Sequence, residues 1–267
     1  MPLVSFRQVE KVYRPRRGAP YTAVQAFDLE TEPGEFFCLL GPSGCGKTTV
    51  LNMLAGFEQP TGGSILIGDK RVRAPGPDRA VVFQGDDSLF AWLTALENVE
   101  FGLRMRGVPG RERRERARHY LDLVGLSGQE QKHPPQLSGG MKQRIQIARV
   151  LANEPVMLLM DEPFAALDAQ TRLLMQEQMR AIANRAKTSV FFITHDIDEA
   201  IMLGNRIGVM KAGPASTLKG HIAVDLGEER QRTDAAFMSV YREAYEMIRE
   251  EVLKSARGTS GGAKAAR

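Results

Sequence analysis

Five apolar residues, Phe36–Leu40, run directly into Gly41-Pro42-Ser43-Gly44-Cys45-Gly46-Lys47-Thr48-Thr49, and the helical stretch Val50-Leu51-Asn52-Met53-Leu54 follows. This is G-x-x-x-x-G-K-[ST] with a strand before it and a helix after it, and no other feature constrains the fold as much. Glycines let successive backbone N–H groups turn inward around a phosphate, and the helix start adds its positive end. Lys47 supplies a point charge for β- and γ-phosphates, and the Thr48 hydroxyl is a ligand for Mg²⁺. A nucleoside triphosphate site over Gly41–Thr49 follows from these residues; the reaction does not.

The rest of the chain agrees with an α/β core. Apolar runs at Ala80–Phe83, Val156–Met160, Val190–Ile193 and Ile207–Met210 read as strands buried on both faces. Val4–Phe6, Val24–Leu29 and Ser64–Ile67 read as edge or antiparallel strands. Helical spacing marks Lys47–Leu54, Arg111–Val124, Met141–Ala152, Leu173–Ala186 and Glu199–Leu203. The expected fold is a P-loop NTPase core with a mostly parallel sheet, an antiparallel β edge subdomain and an inserted helical subdomain over about 89–152. A nucleotide-binding domain over 1–232 would be followed by an amphipathic helix over 233–253, with Thr233 as its N-cap. A tail over 254–267 reads as disordered.

Charge and cysteine usage remove other classes. The net charge is +4 with 36 basic and 32 acidic residues. Lys254, Arg257, Lys264 and Arg267 account for all of that excess, so the basicity belongs to the tail and not to a nucleic-acid-binding face. Cys38 and Cys45 form no disulfide framework, which suits a reducing compartment. No apolar run approaches the ~20 residues of a membrane span, and the first residues lack the apolar core of a secretory signal. These features point to a cytosolic protein.

Two further motifs carry chemistry. Val156–Met160 ends in Asp161 and Glu162, which places two carboxylates at the strand end where α/β sheets bind ligands. Leu137-Ser138-Gly139-Gly140-Met141-Lys142-Gln143-Arg144 opens an apolar-periodic helix. There Ser138 is an N-cap and the glycines a turn that exposes N–H groups to a second anion. His195 follows the strand Val190–Ile193 and Thr194 and so shares the strand-end address. Asp168 reads as an N-cap before Ala169-Gln170-Thr171. Cys45, at a helix start, is expected to favour a thiolate whose alkylation inactivates the protein unless Mg-ATP protects it. No His or Cys cluster has metal-ligand spacing, so the metal is expected to be Mg²⁺ brought with the nucleotide.

In this order — Tyr13, GPSGCGKT, Gln84, LSGGMKQR, VMLLMDEP, Ala166-Leu167-Asp168, His195 — the motifs resemble the ATP-binding subunits of ABC transporters over about residues 3–253. The resemblance implies ATP hydrolysis within a head-to-tail homodimer, where Ser138, Gly139 and Gly140 of one copy close over ATP in the other copy's phosphate loop. It further implies that Tyr13 stacks on adenine and that Gln84 senses Mg²⁺ and the water. Asp161 would hold Mg²⁺, Glu162 orient the attacking water, His195 contact the γ-phosphate and Asp168 reach across the dimer. Implied partners are transmembrane permease subunits and, indirectly, a solute-binding protein, with no nucleic acid. Details such as LFAWLTALENV and THDIDEA look most like importers of the nitrate, sulfonate and taurine group, although Phe90-Ala91-Trp92 replaces that group's Leu-Pro-Trp. Met141 replaces the Gln of many members. The aromatic stretch Leu89-Phe90-Ala91-Trp92 reads either as subdomain core or as a groove for a partner helix.

Three rivals are weaker. A P-loop kinase or GTPase leaves Ser138–Arg144, Asp168 and His195 unexplained. Lys47 and Ser138 lie 91 positions apart, too close for the coiled coil of DNA-repair ABC ATPases. Ribosome-acting members usually carry two cassettes, and this chain has one.

Overall fold

A computed structural model describes residues 1–82, 89–165 and 167–262, with side chains described up to residue 253. The chain forms two compact units, the first from Met1–Pro75 with Phe191–Arg267 and the second from Gly76–Val190.

In the first unit β1 (Val4–Tyr13) pairs antiparallel with both β2 (Tyr21–Thr31) and β4 (Gly62–Ile67), and the short β5 (Lys70–Arg71) extends β4. Strands β1 and β2 outrun their apolar cores as read from sequence, because ladder hydrogen bonds carry the polar residues Glu10–Tyr13 and Tyr21–Thr22 along. The second sheet of this unit contains β3 (Phe36–Leu40), every residue buried, parallel to β9 (Arg206–Met210). Antiparallel to β9 lies β10 (Leu218–Ala223), a strand whose weak alternation gave no sequence signal. On the other side of β3 is β8 (Ser189–Thr194), which carries the chain between the units and is followed by α6 (Ile197–Leu203). Phe6, Phe27, Phe37 and Phe191 meet ring to ring and fill the core between the layers of this unit. Helix α1 (Lys47–Ala55) follows β3.

The long helix α7 (Ala235–Gly262) buries Phe237, Ala244 and Glu251, positions seven apart and so on one face. It begins two residues after Thr233, with the Asp234 carbonyl accepting from Met238 N–H. It also runs past 253, where composition had placed the start of a disordered tail; Lys254-Ser255-Ala256-Arg257 contains no helix breaker.

In the second unit β6 (Arg79–Val82) and β7 (Met157–Asp161) pair in parallel, from Arg79 opposite Met157 to Val82 opposite Met160. Asp161 is thus the last residue of its strand, while Val156 lies before it and is half exposed. Between them come α2 (Ala95–Met105), α3 (Gly110–Leu123), a 3-10 turn at Pro134–Gln136 and α4 (Gly139–Leu151). Helix α5 (Ala169–Ala186) leads towards β8. The turn before α2 is fixed by buried Asn98. Its Oδ1 accepts from Phe90 N–H, and its Nδ2 donates to the Phe90, Leu93 and Thr94 carbonyls. That staple holds Leu89 in the core and leaves Trp92 74% exposed. The aromatic stretch is therefore surface at Trp92 and core only at Leu89.

Candidate functional site

Within the first unit, buried β3 delivers the chain into Gly41–Gly46. Gly44 (φ 76°) and Gly46 (φ 98°) both lie in the left-handed region, where a Cβ is costly. This turns the backbone so that α1 starts without any side chain capping it and without an acidic residue in its first turn. Uncapped first-turn N–H groups with a positive end of the helix dipole are an anion site. Lys47 is only 6% exposed, and its Nζ donates to the Gly41 carbonyl at 2.8 Å and the Pro42 carbonyl at 3.2 Å. The ammonium is therefore drawn across the mouth of the loop by the loop's own carbonyls. Thr48 is exposed on the first turn.

Tyr13 ends β1, and its hydroxyl lies 3.4 Å from Thr49 Oγ1 and donates to Glu58 Oε2 at 2.7 Å. Lys11, two residues earlier and so on the same strand face, pairs with Glu58 at 2.9 Å and sits 5.0 Å from the Tyr13 ring centroid. Burial raises the Tyr13 pKa, and the Glu58 contact adds to that. The ring is thus a neutral plane held by its hydroxyl at the edge of the phosphate loop. Sequence reasoning found Tyr13 but neither Lys11 nor Glu58. The strand alternation Lys11-x-Tyr13 was the available signal for the first.

His195 occupies the exposed apex of the turn after β8. Below it the Thr194 hydroxyl donates to buried Glu199 and accepts from Asp196 N–H at 3.0 Å, while Asp196 caps α6 through Glu199 N–H at 3.1 Å. The turn is braced beneath the imidazole, which faces outward.

Cys45 departs from expectation. Its side chain is 1% exposed, and burial pushes the thiol pKa up, the nearby Lys47 charge only partly countering this. A helix start favours a thiolate only where the sulfur is accessible to solvent or to a cation. Here the sulfur points into the packing.

Within the second unit the carboxylates end β7. Asp161 and Glu162 are both half-buried. Glu162 has φ 44°, a left-handed backbone that non-glycine residues adopt at a cost of about 1 kcal/mol or more. The turn that holds it there closes through Ala165 N–H to the Glu162 carbonyl and Leu167 N–H to the Phe164 carbonyl. Sequence gave no sign of that conformation. Ser138 caps α4, its Oγ accepting from Met141 N–H at 3.3 Å. Asp168 caps α5 by accepting from Gln170 and Thr171 N–H at 3.1 and 3.0 Å, and the Thr171 contacts hold its carboxyl below the usual range. A Cβ on Gly140 would lie 2.9 Å from Thr171 Cγ2, so glycine is what lets these helix starts pack closely. Ser138, Gly139, Gly140 and Asp168 are gathered at one place, two neighbouring helix N-termini. Gln84 lies outside the described residues, as do Gly85–Ser88.

The family profile for "ABC transporter" matches residues 24–165. The chain belongs to the ABC transporter family. It is an ATP-binding cassette ATPase, and the α/β core with its antiparallel sheet is the fold of such cassettes. An ABC transporter ATP-binding protein of Methanocaldococcus jannaschii is 47% identical over 233 residues, covering 87% of this chain and 86% of that one. The nitrate import ATP-binding protein NrtD of Synechococcus elongatus is 43% identical, covering 85% and 83%. The bicarbonate transport ATP-binding protein CmpC of the same species is 43% identical over 252 residues; this chain spans 37% of its length. Among solved structures, the dimeric post-hydrolysis cassette MJ0796 bound to ADP and Pi is 32% identical with a TM-score of 0.70, covering 84% of this chain and 100% of that one. Among the described residues of this ABC ATPase no helix is long and apolar enough to cross a membrane.

Proposed function

We propose that this ATPase powers an importer for a small solute, an anion or an organosulfur or nitrogen compound of the nitrate, sulfonate or taurine kind. It would work as a homodimer docked on permease subunits at the cytoplasmic face of the membrane, with a solute-binding protein choosing the cargo. The observation that carries the ATPase part is the uncapped start of α1 behind Gly44 and Gly46, with Lys47 held across the loop mouth. Support for the dimer comes from the cassette MJ0796, solved as a dimer with ADP and Pi. Support for import comes from NrtD and CmpC, named for nitrate and bicarbonate.

In this reading the loop N–H groups and Lys47 bind the triphosphate, and Tyr13 stacks on the base. Thr48, Asp161 and Gln84 each carry the oxygen donor that Mg²⁺ prefers; bound Mg²⁺ would neutralise charge on the phosphates. Glu162 orients the water and accepts its proton, and His195 and Lys47 steady the negative charge that develops on the transferred group. Ser138, Gly139 and Gly140 of the second copy offer N–H groups to the γ-phosphate, and Asp168 faces the dimer contact. Hydrolysis splits the γ-phosphate from ADP, and release of that phosphate then removes the charge that joins the copies.

The groove beside Trp92 supplies a docking place for a permease. A cavity of about 510 Å³ is lined by Arg79, Phe90, Phe101, Arg106 and Arg149 among others, with the Arg149 guanidinium 5.5 Å from the Phe90 ring. An exposed aromatic beside a pocket is what a partner helix anchors on. The test is Glu162→Gln with ATP. It should sediment as a stable dimer where the parent is monomeric, and co-purify with a multi-span membrane protein. A nucleotide-loaded variant that remains monomeric with its permease present would overturn the reading.

A further inference from the structure

The β9–β10 connection, residues 211–217, lies directly on the phosphate loop. A Cβ placed on Gly213 would be 3.2 Å from the Gly44 carbonyl oxygen and 3.7 Å from Cys45 Cα. Met210, at the start of the connection, backs the same loop: a Cβ on Gly41 would be 3.1 Å from Met210 Cβ. The second half of the connection is firmly held. Ala215 and Ser216 N–H donate to the Thr22 and Ala23 carbonyls at 2.7 and 3.1 Å, Gln25 N–H donates to the Ser216 carbonyl, and the buried Ser216 hydroxyl donates to the Lys211 carbonyl at 2.6 Å.

The first half is held from another element. Ala212 N–H donates to Glu251 Oε2 at 3.1 Å, and Glu251, on the buried face of α7, is 2% exposed. Its other oxygen, Oε1, pairs with Lys219 Nζ at 3.1 Å, and Lys219 also meets Glu250 Oε2 at 2.6 Å and the Met247 carbonyl at 2.9 Å. A carboxylate that deep is retained only where both oxygens are satisfied. One is spent on an ammonium that docks the helix. The other is spent on the backbone that leans against Gly44.

We propose that Glu251 is a positioning residue for nucleotide binding, holding residues 211–214 against the phosphate loop so that α7 sets the loop's readiness for phosphate. The proposal rests on the reading of Gly41–Thr49 as the nucleotide site. Loop N–H groups bind phosphate only when they converge, and small displacements of a binding group are costly. A pull on α7 by a partner would therefore reach the nucleotide through one hydrogen bond and one van der Waals contact. No part of α7 need touch the ligand.

The decisive measurement is ADP binding to the full chain by calorimetry at fixed Mg²⁺. Glu251→Ala should raise the dissociation constant about tenfold, the loss of one charge-assisted hydrogen bond, and raise KM for ATP more than it lowers kcat. Glu251→Gln keeps an oxygen for Ala212 N–H and gives up the acceptor facing Lys219, which keeps Glu250 and the Met247 carbonyl, so it should bind within about twofold of the parent. Glu250→Ala, which loosens the helix while leaving Glu251 paired with both Lys219 and Ala212 N–H, should bind as the parent does. A folded Glu251→Ala with parental affinity overturns the proposal, as does Glu251→Gln or Glu250→Ala weakening binding as much as alanine does. If Glu251→Ala does not fold, Ala212→Pro, which deletes the donor and leaves Glu251 paired, decides on the same outcomes. Lys47→Ala serves as the reference. If it too binds ADP at parental strength, the nucleotide-site reading has failed and not merely this inference.

Discussion

The phosphate loop of the first unit and the helix starts of the second reach readiness for a ligand by opposite routes. In the loop, chemistry is carried by backbone: Gly44 and Gly46 set the turn, Lys47 is tied to the Gly41 and Pro42 carbonyls, and Cys45 is packed inward. At Ser138 and Asp168 the chemistry is carried by exposed side chains that are already occupied in capping α4 and α5. The first arrangement is preorganised and intolerant of added atoms. The second would trade a cap for a ligand contact at little cost, because another hydrogen-bond partner would replace the first. A dimer that opens and closes would use the second kind of surface for its moving half and the first for its fixed half.

The largest effect expected from breaking this division is at Glu162, which belongs to neither scheme. Its left-handed backbone stores strain at a half-buried carboxylate. Loss of a positioned base costs roughly 10²–10⁴-fold, so Glu162→Gln should drop phosphate release by about that range while ATP binding persists. Because Gln preserves the shape of the turn, a small rate loss would assign the base elsewhere.

Next in size is Gly140→Ala. The added methyl must displace Thr171 Cγ2, 2.9 Å away, and so disturb both helix starts together. ATPase activity should fall about tenfold, as expected from shifting a set of positioned donors, with the ADP affinity of the monomer unchanged. A fall in monomer affinity would mean that the two regions are not separable as argued.

Alkylation sharpens the contrast from the loop side. The buried, pKa-raised Cys45 thiol should react with iodoacetamide at pH 7.5 at least about tenfold more slowly than a free cysteine. Quantitative labelling within the time that modifies free cysteine would show that the loop opens far more readily than its packing indicates.

How much of this was legible before the structure follows from the range of the interactions. The phosphate loop, the carboxylates at the end of β7 and the caps Ser138 and Asp168 are local: each is set by one short stretch of chain, the longest running from Gly41 to Thr48. Strand β10 and the 211–217 connection depend on partners far along the chain, such as Ala23, Gly44 and Glu251, and no period in the sequence announces them. The Cys45 expectation failed for the same reason. Its helix-start position is local, but its burial comes from neighbours contributed by other segments. Trp92 is the instructive middle case. Composition left core and surface open, and the Asn98 staple, eight residues from Phe90, decides for surface.

The smallest effect is at Asp168. Hydrogen bonds from Thr171 and Gln170 hold its folded-state pKa below that of the unfolded chain. Its charge then contributes stability that is fully present above the unfolded value of 3.8, and that contribution fades as pH falls through the lower folded value. Asp168→Asn keeps an oxygen for the cap but has no charge to lose. The parent should therefore melt slightly higher than the variant at pH 6, and the gap should close as the pH is taken towards 3 in thermal scans. A gap that stays constant over that range would mean that the carboxylate caps α5 by shape alone.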